Sequence, residues 1–131
     1  MGTGAQPLDG QRILLVEDNF GIAKSLAMLF RRYGAIILGP VGSVQDAMRL
    51  IEGEPHIDGA VLDVNVRDEP VYPVAEVLRK RHTRMVFVTG YDREYIAPEF
   101  ADIPCMLKPW NAEKLMKALA RRDGADSRPP H

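Results

Sequence analysis

Short apolar runs of strand length alternate along the chain with stretches in which apolar residues recur at helical spacing. RILLV, residues 12–16, predicts a first strand, and residues 19–33 then place Ile22, Leu26, Leu29, Phe30 and Tyr33 on one face of a helix that Gly34 can close. AIILGPV (35–41) predicts a second strand. Ser43, with Asp46 three residues on, is close to a capping box and opens a helix whose Val44, Ala47, Met48 and Ile51 share a face. IDGAVLD (57–63) predicts a third strand, followed by a loop containing Pro70 and Pro73 and a helix over about 73–81, with Pro73 in its first turn. RMVFVT (84–89) is the fourth strand. DREYIAPEF, which follows, is interrupted by Pro98, so the fourth helix is expected to be short or distorted. PCMLK (104–108) predicts the fifth strand, and Asn111 caps a final helix whose Leu115, Met116 and Leu119 face inward.

Five alternations of strand and helix call for an α/β fold, a doubly wound parallel sheet with helices on both faces. Residues 1–10 and 123–131 are rich in Gly, Pro and polar groups and are expected to be flexible tails around one domain at 11–122. The chain has 131 residues, 46% hydrophobic and 27% charged, enough to bury one real core, with no second core for an output domain. Seventeen basic against eighteen acidic residues leave a net charge of -1, so no global field favours nucleic acid or an anionic membrane. The one cysteine, Cys105, has no partner for an internal disulfide and reads as a buried small hydrophobe. The opening MGTGAQPLDG lacks the basic and apolar regions of a signal peptide, and no apolar run reaches the ~20 residues of a spanning helix. The expectation is a soluble cytoplasmic protein.

In open parallel sheets the functional groups gather at the carboxyl ends of the strands. Those ends carry Glu17 and Asp18 after strand one, Asp63 closing strand three, Thr89 and Gly90 at strand four, and Lys108 and Pro109 at strand five. Singly, each has an ordinary explanation: an Asp caps a turn, a Thr packs in a strand, a Lys is solvated. At successive strand ends, three acids, a hydroxyl and an ammonium converge. Three close carboxylates raise one another's pKa unless compensated, and a hard cation such as Mg²⁺ accepts carboxylate and carbonyl oxygens while keeping waters.

The acidic pair, the strand-three Asp, the strand-four Thr and the strand-five Lys-Pro resemble, in order and register over nearly the whole chain, the receiver domain of two-component response regulators. The resemblance implies a flavodoxin-like strand order 2-1-3-4-5. It implies that Asp63 is a phosphoacceptor, taking a phosphoryl group from a sensor histidine kinase or a histidine phosphotransfer protein. It further implies that Glu17, Asp18, Asp63 and the backbone carbonyl of Asn65 hold Mg²⁺, that Lys108 pairs with a phosphate oxygen, that Thr89 moves to hydrogen-bond the phosphoryl group, and that Gly90 leaves room for its approach. Pro109 would follow a cis peptide bond.

The chain departs from the family pattern in places. The position three residues before the Lys, where most receivers carry a Tyr or Phe that swings inward, is Cys105. Phe87, Thr89, Gly90 and Tyr91, in VFVTGY, are similar to a receiver subgroup marked by Phe-Ala-Thr-Gly-x-Tyr, often stand-alone and also without the strand-five aromatic. Val88 replaces the Ala, and Tyr91 follows Gly90 directly. The loop VNVRDEPVYP lacks the common Met-Pro pair and has Arg67 where the Pro would fall. The 19 positions from Thr89 to Lys108 fit a reduced fourth helix.

Tyr91 and Trp110 are candidate switch or partner surfaces, Trp110 against the alternative of packing on its own domain. His56, His82 and His131 are scattered and not at metal-ligand spacing. The basic run RKRHTR (79–84) spans a helix end, where cations complement the helix dipole, so it does not by itself indicate nucleic acid. The leading expectation is a receiver that signals through protein contacts in a phosphorelay, as a monomer or weak dimer, without nucleic acid or membrane. A pseudo-receiver that binds partners without phosphorylation is one alternative. An aspartyl-phosphate phosphatase is another, disfavoured because Asn65 stands where such enzymes want a second acid.

Overall fold

The computed structural model describes residues 7–90, 96–108 and 112–120. The elements are β1 (Arg12–Val16), α1 (Phe20–Arg32), β2 (Ile36–Val41), α2 (Val44–Gly53), β3 (Gly59–Asp63), β4 (Asn65–Val66), β5 (Glu69–Pro70), α3 (Tyr72–Lys80), β6 (Arg84–Thr89), β7 (Cys105–Leu107) and α4 (Ala112–Leu119). The main sheet is parallel in the order β2-β1-β3-β6-β7. This is the expected flavodoxin-like order, because β6 and β7 are the fourth and fifth strands read from the sequence.

Alternation along each strand divides the apolar residues between two layers, as a sheet buried on both faces requires. Ile13, Leu15, Val61, Val86 and Val88 pack with Leu26 and Phe30 of α1 and Leu115 and Leu119 of α4. Leu14, Val16, Leu62, Met85 and Phe87 pack on the other side with Ala47 and Ile51 of α2 and Val74, Ala75 and Leu78 of α3. Gly59 permits the close approach of α4: a Cβ there would lie 3.1 Å from Ile13 Cδ1 and 3.2 Å from Leu119 Cδ2.

Local chemistry sets the helix ends. Asn19 accepts from the Ile22 N–H at 2.9 Å and caps α1, and Ser43 Oγ accepts from the Asp46 N–H at 3.1 Å and caps α2. Gly34, with φ of +95°, takes the left-handed conformation that ends α1. The Gly39-Pro40 peptide within β2 is cis, whereas the expected cis Lys108-Pro109 bond lies outside the described residues. The Asn111 cap, the tail at 123–131, Tyr91 and Trp110 lie outside them as well.

Three expectations are corrected. The tail does not extend through residue 10: Leu8 is fully buried against the α1–α4 layer, and the N–H groups of Leu8 and Gly10 donate to the Tyr33 and Gly34 carbonyls at 2.9 Å. The loop after Asp63 contains an antiparallel hairpin, β4–β5, turned by Arg67 and Asp68 at φ of 51° and 65°. Helix α3 spans Tyr72–Lys80, in line with the expected 73–81, with Pro73 in the first turn where its missing N–H costs nothing. Cys105 is half-buried rather than enclosed, because β7 is the sheet's edge, while Met116 packs inward as expected against the α1–α4 layer. Between β6 and β7 the described residues hold only a 3-10 turn, Pro98–Phe100, in keeping with a reduced fourth helix.

The burial of Leu8 predicts that Leu8→Ala, or removal of residues 1–10, lowers unfolding stability in urea by about 2–4 kcal/mol, as for other enclosed leucines. Equal midpoints for wild type and Leu8→Ala would refute the anchoring role.

Candidate functional site

The sheet register brings the candidate residues together. Val16 pairs with Leu62, Asp63 with Val88 and Thr89 with Leu107, so Glu17, Asp63, Thr89 and Lys108 emerge at one edge. The chain turns outward in opposite directions from β1 and β3, and that switch point opens the crevice in which the acids stand. Carboxylate oxygens of Glu17, Asp18 and Asp63 lie within 4.8 Å of one another. Glu17, Asp63 and Thr89 are buried, whereas Asp18 is exposed at the rim.

Lys108 supplies the cationic counterweight. Its Nζ lies 3.0 Å from Asp63 Oδ2 and 3.1 Å from Glu17 Oε1, and its N–H donates to the Thr89 carbonyl at 2.8 Å. Backbone amides hold the remaining oxygens: Asn19 N–H donates to Glu17 Oε2 at 3.1 Å, Asn65 N–H to Asp63 Oδ1 at 3.3 Å, and Arg67 N–H to Asp18 Oδ2 at 2.7 Å. Glu17 Oε1 is buried and receives no aligned hydrogen bond, since the Lys108 ammonium approaches it as an ion pair only. Such a buried, under-coordinated oxygen is costly unless another positive group meets it.

Electrostatics follow from this packing. Burial, aided by the Asp63 charge, raises the Glu17 pKa above its ordinary 4.5, although the Asn19 amide and Lys108 oppose the rise. For Lys108, burial pulls the pKa down, but the adjacent carboxylates of Asp63 and Glu17 together outweigh it and hold the ammonium above the ordinary 10.5. One ammonium against three carboxylates leaves the cluster net negative. A donor set of hard oxygens with one unsatisfied buried oxygen fits a small divalent cation, with Glu17, Asp18 and Asp63 as the side chains that could hold it.

The structure therefore brings together Glu17, Asp18, Asp63, Asn65, Thr89 and Lys108. Gly90 is exposed beside them, and a Cβ there would meet no heavy atom within 4 Å among the described residues. The direct tie of Arg67 N–H to Asp18 was not foreseen, since it depends on a left-handed turn at residues other than glycine. The basic run 79–84 is largely engaged within the fold. Arg79 pairs with Asp102 at 3.1 Å, Arg81 donates to the Glu54 and Ile51 carbonyls at the end of α2, and Arg84 donates to the Leu119 and Ala120 carbonyls at the end of α4. Among the described residues, no helix is long and apolar enough to cross a membrane.

No protein-family model matches the chain. It is 27% identical over 121 residues to the transcriptional regulatory protein PdtaR of Mycobacterium tuberculosis, covering 89% of this chain and 58% of that one. The chain thus spans 58% of the length of the curated relatives it matches. Among solved structures it is similar to SdrG from Sphingomonas melonis Fr1, with 35% identity, a TM-score of 0.73, and coverage of 84% of this chain and 93% of that chain. It is also similar to the PhyR response regulator REC domain of Erythrobacter litoralis, with a TM-score of 0.76 over 95% of this chain and 98% of that chain; at 16% identity this likeness bears on the fold alone. With its four strand-end blocks in place and a relative at this identity and coverage, the chain belongs to the receiver domains of response regulators.

The ion pairs give a pH signature. Because the folded pKa of Lys108 is raised, its contribution to stability is complete below 10.5 and is lost as the pH rises through the higher folded value. Glu17 has the opposite consequence: its raised pKa means that ionisation costs stability above 4.5, and the cost vanishes at acid pH, where both states are protonated. Lys108→Met should therefore destabilise the unloaded domain by about 1–3 kcal/mol at neutral pH, as for a buried polar group stripped of its partner. The deficit relative to wild type should shrink as the pH is lowered towards 4.5, the ordinary glutamate value. Urea unfolding across that range checks this, and a deficit independent of pH would contradict the assignment.

Proposed function

We propose that this receiver domain accepts a phosphoryl group on Asp63 from a phosphohistidine of a sensor kinase or phosphotransfer protein and signals by protein contact. One observation carries the reading: a buried carboxylate at the end of β3 stands between an ammonium at 3.0 Å and two further acids. An Asp63 oxygen attacks phosphorus, an O–P bond forms, and the P–N bond of the donor breaks with its electron pair leaving on the imidazole. Lys108 is placed to follow the oxygen it now holds and to neutralise charge on the transferred group. Glu17, Asp18, Asp63 and the Asn65 carbonyl would hold Mg²⁺, which when bound neutralises charge on the phosphoryl oxygens. Thr89, buried at the end of β6, would supply the hydroxyl that meets the product.

The phosphoryl group would then act by differential affinity, favouring one arrangement of nearby loops that partners prefer. We read the domain as no enzyme towards external phosphoesters, since Asn65 carries an amide where a general acid would be needed, and its N–H is engaged with Asp63. Phe87, Thr89 and Gly90 in series and a half-buried Cys105 opposite Phe87 support kinship with the Phe-Ala-Thr-Gly-x-Tyr subgroup. Tyr91 follows Gly90 directly, one position short of that motif's Tyr.

Intact mass after incubation with acetyl phosphate and Mg²⁺ should show the gain of one phosphoryl group. The gain should disappear in Asp63→Asn and on chelation; no gain under any donor would leave a pseudo-receiver. Mg²⁺ alone should raise the thermal midpoint, by about 2.7 kcal/mol of stabilisation at a hundredfold excess over its Kd. Asp18→Asn should abolish most of that rise, and a rise that survives the substitution would place the cation elsewhere.

A further inference from the structure

Residues 96–103, ahead of β7, are held by α3. Tyr72, the first residue of α3, stacks on Phe100 with ring centroids 4.9 Å apart and planes 12° from parallel, and its hydroxyl accepts from the Ala97 N–H at 2.8 Å. Arg79, two turns along the same helix, carries its guanidinium over the Phe100 ring at 5.3 Å, pairs with Asp102 and donates to the Glu99 carbonyl. Phe87 of β6 completes the group, 6.2 Å from both Tyr72 and Phe100. Cys105, on the edge strand opposite Phe87, brings no ring of its own.

The other end of this contact reaches the acids. Only Val64, the β4–β5 hairpin and Val71 separate Asp63 from Tyr72. The hairpin is closed by Val71 N–H on the Val64 carbonyl at 2.8 Å and is seated by buried Val66 and Val71. Its N–H groups at Asn65 and Arg67 donate to Asp63 and Asp18. A cation or phosphoryl group that draws on those carboxylate oxygens competes with both amides. The Arg67 turn is held in the left-handed region, which is unfavourable for a side chain other than glycine, so it has a reason to relax when its acceptor is taken. A change there passes along the paired hairpin to Val71 and Tyr72.

We propose that Tyr72 is the positioning residue through which occupancy of the acid cluster reaches residues 96–103, its ring acting on Phe100 and its hydroxyl on Ala97. The proposal rests on the phosphoacceptor reading above. It makes α3, with the segment seated on it, the surface whose shape reports the state of Asp63.

Amide hydrogen exchange of the full chain in Mg²⁺, with and without beryllofluoride, tests the proposal, with intact mass after acetyl phosphate read in parallel. Wild type should change its exchange across residues 96–103 on loading by about fivefold or more, the scale of one ordinary hydrogen bond. Tyr72→Phe should keep that change at Phe100–Ile103 and lose it at Ala97. Tyr72→Ala should still gain one phosphoryl group but lose the change throughout. A loading response that persists in Tyr72→Ala, or is absent from a wild-type protein that gains the phosphoryl group, overturns the proposal. Should Tyr72→Ala fold poorly, an unaltered response at Ala97 in Tyr72→Phe overturns it equally. If wild type gains no phosphoryl group, the receiver chemistry has failed first and the proposal falls with it, an outcome the mass alone identifies.

Discussion

Everything at the carboxyl edge of the sheet depends on one ammonium. Lys108 stands between Glu17 and Asp63, and without it a buried pair of like charges would face each other across the β1–β3 crevice. The pairing is incomplete, since Glu17 Oε1 is charge-paired but not hydrogen-bonded, and Asp18 adds a third carboxylate at the rim. The fold thus keeps a region of negative potential that is compensated enough to fold and unsatisfied enough to attract a cation. Both properties come from the same three carboxylates, and their balance is set by where β7 ends.

Placement of that edge is a matter of register. Parallel strands fixed by apolar residues on two faces cannot slip by one position without turning every core side chain outward. The burial of Leu14 and Val16 on one side and Ile13 and Leu15 on the other therefore locates Glu17. The same argument locates Asp63 through Val61 and Leu62, and Thr89 through Phe87 and Val88. The reactive groups need little local machinery because the core has already aligned the ends on which they sit.

This is why so much of the site was legible in the amino-acid sequence. The five apolar runs and the polar residues ending them are strong, short-range signals, and the caps at Asn19 and Ser43 are local chemistry. Leu8 was not legible, because its neighbours are glycine, proline and polar residues and its burial depends on distant Tyr33 and Phe30. The hairpin was hidden for a related reason: Arg67 and Asp68 lack the glycine that marks most left-handed turns, and the Asp18 carboxylate that steadies the turn is 49 residues away in sequence. The basic run was read as cations suited to the end of their own helix. Arg81 and Arg84 instead serve the ends of α2 and α4, contacts between elements that periodicity does not reveal.

The anchoring of Leu8 also fixes how the domain can be handled. Strand β1 runs from the Leu8–Gln11 turn to Glu17, so residue 7 enters at the opposite end of the sheet from the acids, one strand length or roughly 17 Å away. A fluorophore, an affinity tag or a surface tether joined ahead of residue 7 starts from the far side of the core and leaves the crevice open to a docking partner. Immobilisation from that end would turn the acid cluster away from the support.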